Sequence, residues 1–339
     1  MKASAETAVL TESLRNLGLA AKDEEPRYQA LTGGVSSQIW RVDLRGGPVC
    51  VKRALPKLRV EREWLAPIER NHYEFAWLRA VSAIAPHAVP RLLAHDGAQN
   101  LFVMEFLSPE SHPLWKMELH GGRADPAFAA QLGRLLALIH RTTAHNPAIA
   151  AEFPTDAIFY SLRLEPYLET TALRHPDLAP ALHRLVKTTA ASKHALVHGD
   201  VSPKNILVGP HGPVLLDAEC AWYGDPAFDL AFCLNHLLLK CLWTPAASAD
   251  FLRCFDALRE AYLEGVAWEP ADVLEARAAA LLPALFLARV DGKSPAEYLN
   301  AADRDRVRRV ARSLIQVTQT GPERLEAIRR TWAKELENG

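Results

Sequence analysis

One stretch of the chain concentrates residues that could do chemistry: His198-Gly199-Asp200-Val201-Ser202-Pro203-Lys204-Asn205, and then Asp217-Ala218-Glu219. Short apolar runs, Leu196-Val197, Ile206-Leu207-Val208 and Val214-Leu215-Leu216, flank these polar residues. If the last two runs pair as a hairpin, Asp200, Asn205 and Asp217 converge on one point. That point would offer a carboxylate base beside two oxygen ligands. Hard divalent cations such as Mg²⁺ favour oxygen donors and take one or two carboxylates plus substrate phosphates, so the pattern outlines a phosphoryl-transfer site. Asp-x-x-x-x-Asn in isolation is turn chemistry, with side chains bonding their own backbone. The hairpin, Glu219 and the downstream Gly224-Asp225-Pro226-Ala227-Phe228-Asp229, arriving in order, favour the catalytic reading. His198 is a base by chemical type.

The elements that must position these residues fall into two groups. At 339 residues the chain exceeds what one hydrophobic core fills, and two lobes sharing an active site are expected. From Tyr28 to Leu55 the sequence predicts strands at Tyr28–Leu31, Ile39–Leu44 and Pro48–Arg53, with glycine turns between them. Arg62 to Ser82 predicts a helix, ended by Pro86 and Pro90. Leu92–His95 and Leu101–Leu107 predict a hairpin, giving β-β-β-α-β-β. Beyond Ser108-Pro109 helical periodicity dominates, from Phe128–His140 to the C-terminus, with strand-like breaks only near Ala195–Val197, Ile206–Val208 and Val214–Leu216. The segments Arg141–Glu152 and Trp243–Ala249 read as loops. The expectation is an α+β chain: residues 1–107 a sheet lobe with an N-terminal helix, residues 108–339 a helical lobe carrying the catalytic hairpin. Thr32-Gly33-Gly34-Val35-Ser36-Ser37-Gln38 lies between two strands, where small residues let backbone amides approach phosphate oxygens. It lacks G-x-G-x-x-G and by itself also fits a plain hairpin turn.

Composition excludes several classes. Lys+Arg 39 against Asp+Glu 40 gives a net charge of -1, which offers no general attraction for nucleic acid or an anionic membrane. The most apolar stretch, Ala231–Trp243, carries Asn235, His236 and Lys240 and is shorter than the ~20 residues a span needs. The 5 cysteines form no C-x-x-C pair and sit in apolar runs, and Met1–Asp23 lacks the unbroken apolar core of a secretory signal. A cytoplasmic protein is expected; oligomeric state is left open.

The Asp200/Asn205/Asp217 spacing resembles the catalytic loop of the protein-kinase fold, with Gly199 in place of its Arg. His198-Gly199-Asp200 with Gly224–Ala231 is similar to the aminoglycoside phosphotransferase and choline kinase superfamily. That resemblance implies a protein-kinase-like two-lobed fold that uses ATP and Mg²⁺. It implies Asp200 as catalytic base, Asn205 and Asp217 as metal ligands, Asp229 as a brace of the loop and His198 as structural. It also makes Lys52 the contact of the α/β-phosphates, paired with a helix acid. Glu74 is the choice because it precedes an apolar helix face, with Glu63 and Glu69 near enough to compete. Gly33, Gly34, Ser36 and Ser37 would clamp phosphates, and the Glu105 carbonyl and Leu107 N–H would meet adenine.

Two segments are more specifically similar to the 5-methylthioribose kinase family: Val51–Arg59 with Trp64, Arg70 and Tyr73-Glu74, and Asp217–Gly224 running on to Asp229. By that likeness Glu219 assists Asp217 at the metal. The likeness has departures: that family lacks the Asn matching Asn205, and carries an Arg pair near where this chain reads Pro283-Ala284-Leu285-Phe286. The first implies the superfamily's more general metal arrangement, and the second argues against methylthioribose itself as the acceptor. The implied enzyme is a small-molecule kinase acting on a hydroxyl, with Trp222, Tyr223, Arg289 and Asp291 as acceptor contacts and a neutral or modestly charged sugar-like metabolite as acceptor. The competing readings are an aminoglycoside-modifying phosphotransferase, and a nucleotide-binding pseudokinase, against which Lys52, Asp200, Asn205 and Asp217 stand intact.

Overall fold

The computed structural model describes residues 5–31, 37–55, 67–318 and 324–338. The chain divides into two compact units, Met1–Ser108 and Pro109–Gly339.

The first unit is built on an antiparallel sheet: β1 Arg27–Ala30, β2 Ser37–Leu44, β3 Gly47–Ala54, β4 Leu92–Asp96 and β5 Leu101–Glu105, in the order β1-β2-β3-β5-β4. Central β3 alternates with period two. Val49 and Val51 join Val42, Leu101 and Val103 in a core closed by Leu10 and Leu14 of the N-terminal helix Ala5–Asn16. Lys52 has the opposite parity and pairs in register with Phe102, whose ring meets Phe75 of the helix Arg70–Ile84 at 6.0 Å. The sheet therefore carries an apolar face toward one helix and presents Lys52 toward the other. The predicted helix start at Arg62 is corrected in part: residues 62–66 lie outside the described residues, and Pro67 to Glu69 form a turn before the helix begins at Arg70. Buried Arg70 fixes that start by donating to the carbonyls of Pro67 at 2.8 Å and Leu55 at 2.6 Å. Strand β5 stops at Glu105, short of the predicted Leu107.

In the second unit three helices begin alike. Asp125-Pro126, Asn146-Pro147 and Asp225-Pro226 each place an Asx side chain to accept a first-turn amide, with proline, which needs no N–H partner, just inside. The region read as a loop from Arg141 to Glu152 is thereby partly helical, since one helix runs on to Thr143 and another spans Pro147–Glu152. The helices Pro126–Thr143 and Ser248–Glu264 pack so closely that a Cβ at Gly133 would lie 2.4 Å from the Leu258 carbonyl. The helix Pro226–Trp243 is buried from Pro226 to Leu242 and packs on Ala271–Asp291. Strands β7 Ile206–Gly209 and β8 Gly212–Leu215 form the expected hairpin, with Ile206 opposite Leu215. Strand β6 Ala195–Val197 pairs with β9 Trp222–Gly224, a three-residue strand the sequence did not suggest. Among the described residues no helix is long and apolar enough to cross a membrane, and the five cysteines are buried and free of disulfides.

Candidate active site

In the first unit Lys52 Nζ lies 2.7 Å from Glu74 Oε1, and both side chains are almost fully buried. The central strand delivers the ammonium and the second turn of the following helix delivers the carboxylate. The Glu105 side chain accepts from the Arg91 amide at 2.8 Å, while Leu107 lies beyond the strand. Gly33, Gly34 and Ser36 fall outside the described residues; Ser37 opens β2 and is buried.

In the second unit strand β6 runs directly into His198-Gly199-Asp200. Gly199 sits at φ +78°, and a Cβ there would lie 2.6 Å from the Cys220 carbonyl. Only glycine turns the chain so close to the Cys220 segment, which accounts for glycine where the protein-kinase pattern has Arg. Asp229, wholly buried on the helix Pro226–Trp243, accepts the His198 and Gly199 amides, each at 2.8 Å. Its Oδ2 also lies 3.3 Å from His140 Nε2, and His140 Nδ1 is 2.8 Å from the Tyr262 hydroxyl. His198 is committed at both ring nitrogens: Nε2 lies 3.0 Å from the Leu216 carbonyl, and Nδ1 accepts the Asp200 amide at 3.1 Å. Burial lowers its pKa and favours the neutral ring.

The Asp200 carboxylate, 3% exposed, lies 2.9 Å from Arg163 Nη2 and 3.2 Å from Lys204 Nζ. Burial alone would raise its pKa, but Lys204 and Arg163 outweigh that effect, and the group is held below the usual carboxylate range. Asn205 donates Nδ2–H to the Asp200 carbonyl at 3.1 Å, and its own carbonyl accepts the Leu216 amide at 2.9 Å. Asp217, at the end of the hairpin, adopts φ +65°, a strained conformation for a residue with a side chain. It is half-buried and close enough to act electrostatically on Asp200 and Lys204. Glu219, buried, acts on Arg163. The hairpin thus collects Asp200, Asn205 and Asp217 at one end.

No group of three or more His, Cys, Asp or Glu residues in metal-holding geometry occurs among the described residues. Beside phosphates Mg²⁺ needs only one or two carboxylates, completed by other oxygen donors and water. The Asn205 amide fits such a site, because donation from Nδ2 to the Asp200 carbonyl leaves Oδ1 as the group able to face a cation.

Arg163 and Lys204 were not singled out from sequence. Lys204 stands inside the catalytic loop, and its place one residue before Asn205 was the available signal. Arg163 comes from a π-helical stretch, Tyr160–Glu169, interrupted by Pro166, and packs its guanidinium over Phe232 and Tyr167 at 5.6 and 5.7 Å. No local pattern marks it.

Three of the four expected acceptor contacts are occupied by the framework. Trp222 stacks on Phe159 at 4.1 Å and donates its indole N–H to Asp156. The Tyr223 hydroxyl meets the His194 carbonyl at 3.1 Å and accepts the Asn146 amide at 3.0 Å. Asp291 pairs with His175 and Arg308, each at 2.8 Å. The reason is common to all three: strand β9 and the end of the helix Ala271–Asp291 turn these side chains into neighbouring elements. Arg289 differs. It is buried and binds Ser294 through Nη1, but its Nε has no partner among the described residues.

Residues 27–240, well over half of the chain, match the phosphotransferase enzyme family known as APH. The chain is 27% identical over 265 residues to the methylthioribose kinase of Escherichia coli, a match covering 69% of this chain and 62% of that protein. It is 31% identical over 221 residues to the methylthioribose kinase of Yersinia pseudotuberculosis, covering 57% and 53%. The chain therefore spans between about half and two thirds of the length of these curated relatives. A choline/ethanolamine kinase family protein from Mesorhizobium loti superposes with a TM-score of 0.53 at 17% identity, covering 97% of this chain and 99% of that one. The Plasmodium vivax ethanolamine kinase gives 0.55 at 11% identity, covering 100% and 89%. At such identities the likeness is one of fold, that of kinase-like phosphotransferases. With a family match of this extent, the chain belongs to the phosphotransferase enzyme family.

Proposed function

We propose that the protein transfers the γ-phosphoryl group of ATP to a hydroxyl of a small, sugar-like metabolite. The observation that carries this reading is Asp200, buried and kept ionised by Arg163 and Lys204, beside Asn205 and Asp217. In the transfer the acceptor oxygen forms a bond to the γ-phosphorus as the bond to the β,γ-bridging oxygen breaks. The hydroxyl proton passes to Asp200 and ADP leaves. A carboxylate of lowered pKa is a weak base for an alcohol, which suits a loose transition state in which the base chiefly orients the hydroxyl and takes its proton late. Lys204 and Arg163 fix the carboxylate, and Lys204 adds positive charge beside the transferring group. Lys52, fixed by Glu74, would contact the nucleotide phosphates. Mg²⁺, held by Asp217 and Asn205 with help from Glu219, would neutralise phosphate charge.

Support for the metal assignment would come from calorimetry of ATP with and without Mg²⁺. Asp217→Ala is expected to remove the Mg²⁺-dependent part of ATP affinity while the fold, read by circular dichroism, persists. An unchanged Mg²⁺ dependence would overturn the assignment. The pseudokinase reading predicts that no acceptor yields ADP above the acceptor-free rate.

A further inference from the structure

The helix Pro226–Trp243 carries Asp229, Phe232, His236 and Lys240 at spacings of three or four residues, so they share one face. That face starts at the catalytic loop. Asp229 holds the loop amides, and Phe232 lies 5.6 Å from the guanidinium of Arg163, which binds Asp200. One turn further, the His236 ring meets Phe232 at 5.2 Å. After another turn, Lys240 Nζ sits over the rings of Trp243 at 3.9 Å and Tyr298 at 4.1 Å.

The charge along this face is unbalanced. Lys116 and Arg289 act on Lys240, and the carboxylate that opposes them, Glu297, is already paired with Lys116 at 3.1 Å. Glu297 also interacts with Arg289, so Lys116, Lys240 and Arg289 share one acid. His236 experiences Arg289, Lys240, Lys204 and Lys116 and no acid of comparable effect. Polar atoms here also lack partners. Lys240 is 2% exposed and His236 8%, and among the described residues neither has a hydrogen-bond acceptor or donor opposite it. Among the described residues the Arg289 Nε and the Tyr298 hydroxyl are buried without hydrogen-bond partners. Buried cations and donors left unmatched are costly, and cation–π contact offsets part of that cost for Lys240 alone.

We propose that this face recognises the acceptor, and that Lys240 and Arg289, with His236 and Tyr298 as neutral hydrogen-bonding groups, take an anionic substituent, a carboxylate or a phosphate ester, on the hydroxylated substrate. The inference rests on the kinase reading above and narrows its acceptor. From Phe232 to Lys240 the helix rises ~12 Å at 1.5 Å per residue, a span that the acceptor and the side chains reaching toward it would bridge together. Burial and the fields of Lys116 and Arg289 push Lys240 down to about 7; an anion opposite it would restore its proton. Amino alcohols and polycationic aminoglycosides would meet like charge. The acceptor is thus more anionic than the neutral or modestly charged metabolite expected from sequence.

The test is ADP formation by the full chain with ATP and Mg²⁺, offered neutral acceptors (ribose, glycerol), cationic ones (choline, kanamycin), carboxylates (glycerate, gluconate) and phosphate esters (ribose 5-phosphate, glycerol 3-phosphate). Turnover is expected in one or both anionic arms, and which arm responds identifies the substituent. Lys240→Met should raise KM for that acceptor ~10–100-fold with kcat within about threefold, the signature of binding lost equally from ground and transition states. Arg289→Gln serves as a second variant with the same expected direction. Equal or better kcat/KM for a neutral or cationic acceptor, or an unchanged KM in both variants, would overturn the proposal. If no acceptor yields ADP, the kinase reading fails, and calorimetry with gluconate and ribose 5-phosphate decides the anion site separately. Binding abolished by Lys240→Met upholds it, and absence of binding overturns it.

Discussion

The two ends of the helix Pro226–Trp243 handle buried charge in opposite ways. At its start every charge is matched: Asp229 accepts two loop amides, and Asp225 caps the helix and meets Arg277, which also holds Glu269 at 2.7 Å. Toward its end Lys240 rests on aromatic faces without a carboxylate of its own, and His236 has no hydrogen-bond partner among the described residues. Matched buried charges hold a loop in one arrangement, and losing one partner strands the other. Unmatched ones destabilise the free protein and are relieved by a ligand of opposite sign. The first pattern suits a scaffold that fixes the Asp200 loop, and the second suits the proposed anion-binding face.

Breaking the matched end should have the larger effect. Asp229→Ala would strand the His198 and Gly199 amides in a dry interior and is expected to cost on the order of 3–5 kcal/mol, with loss of activity. Urea denaturation measures it, and a cost below ~1 kcal/mol would mean the loop is held by something else. At the other end the sign should reverse. Lys240→Met keeps most of the volume and removes the unmatched charge, so a gain of about 2 kcal/mol is expected at pH 6. The pH dependence sharpens this. In the folded chain Lys240 loses its proton near 7, whereas in the unfolded chain it keeps it until near 10.5. Between those values unfolding takes up a proton, so this group adds stability as pH rises and imposes its full penalty below 7. The advantage of Lys240→Met should therefore shrink from pH 6 to pH 10, as thermal melts at the two values would show. An advantage that grew with pH would contradict the assignment of the unmatched charge.

The catalytic hairpin was legible because its chemistry is linear. Asp200 and Asn205 are fixed by one loop, and apolar runs on both sides announce the strands that bring Asp217 back. Lys52 is legible through the family resemblance and its place on the third strand; in the fold, strand parity turns it away from the core that holds Val51. Three things were hidden. The partners of Asp200 and Asp229, namely Arg163 and His140, arrive from helices that tertiary packing alone brings near. The β6–β9 ribbon is too short to show a period of two, so Trp222 and Tyr223, close after Asp217 and Glu219 in sequence, read as acceptor contacts while the fold buries them against framework groups. The cationic face was missed because His236 and Lys240 sit inside an apolar helix and read as interruptions of it. Their meaning appears only when Arg289, Lys116 and Tyr298 come in from elsewhere.

If Asp200 is the base of phosphoryl transfer, the decisive measurement is the kcat of Asp200→Asn on the acceptor the panel identifies, taken together with ATP affinity. The expected result is a fall of ~10²–10⁴ in kcat with ATP·Mg²⁺ affinity within a few-fold of the parent. Near-normal turnover, with the fold and ATP affinity intact, would contradict it.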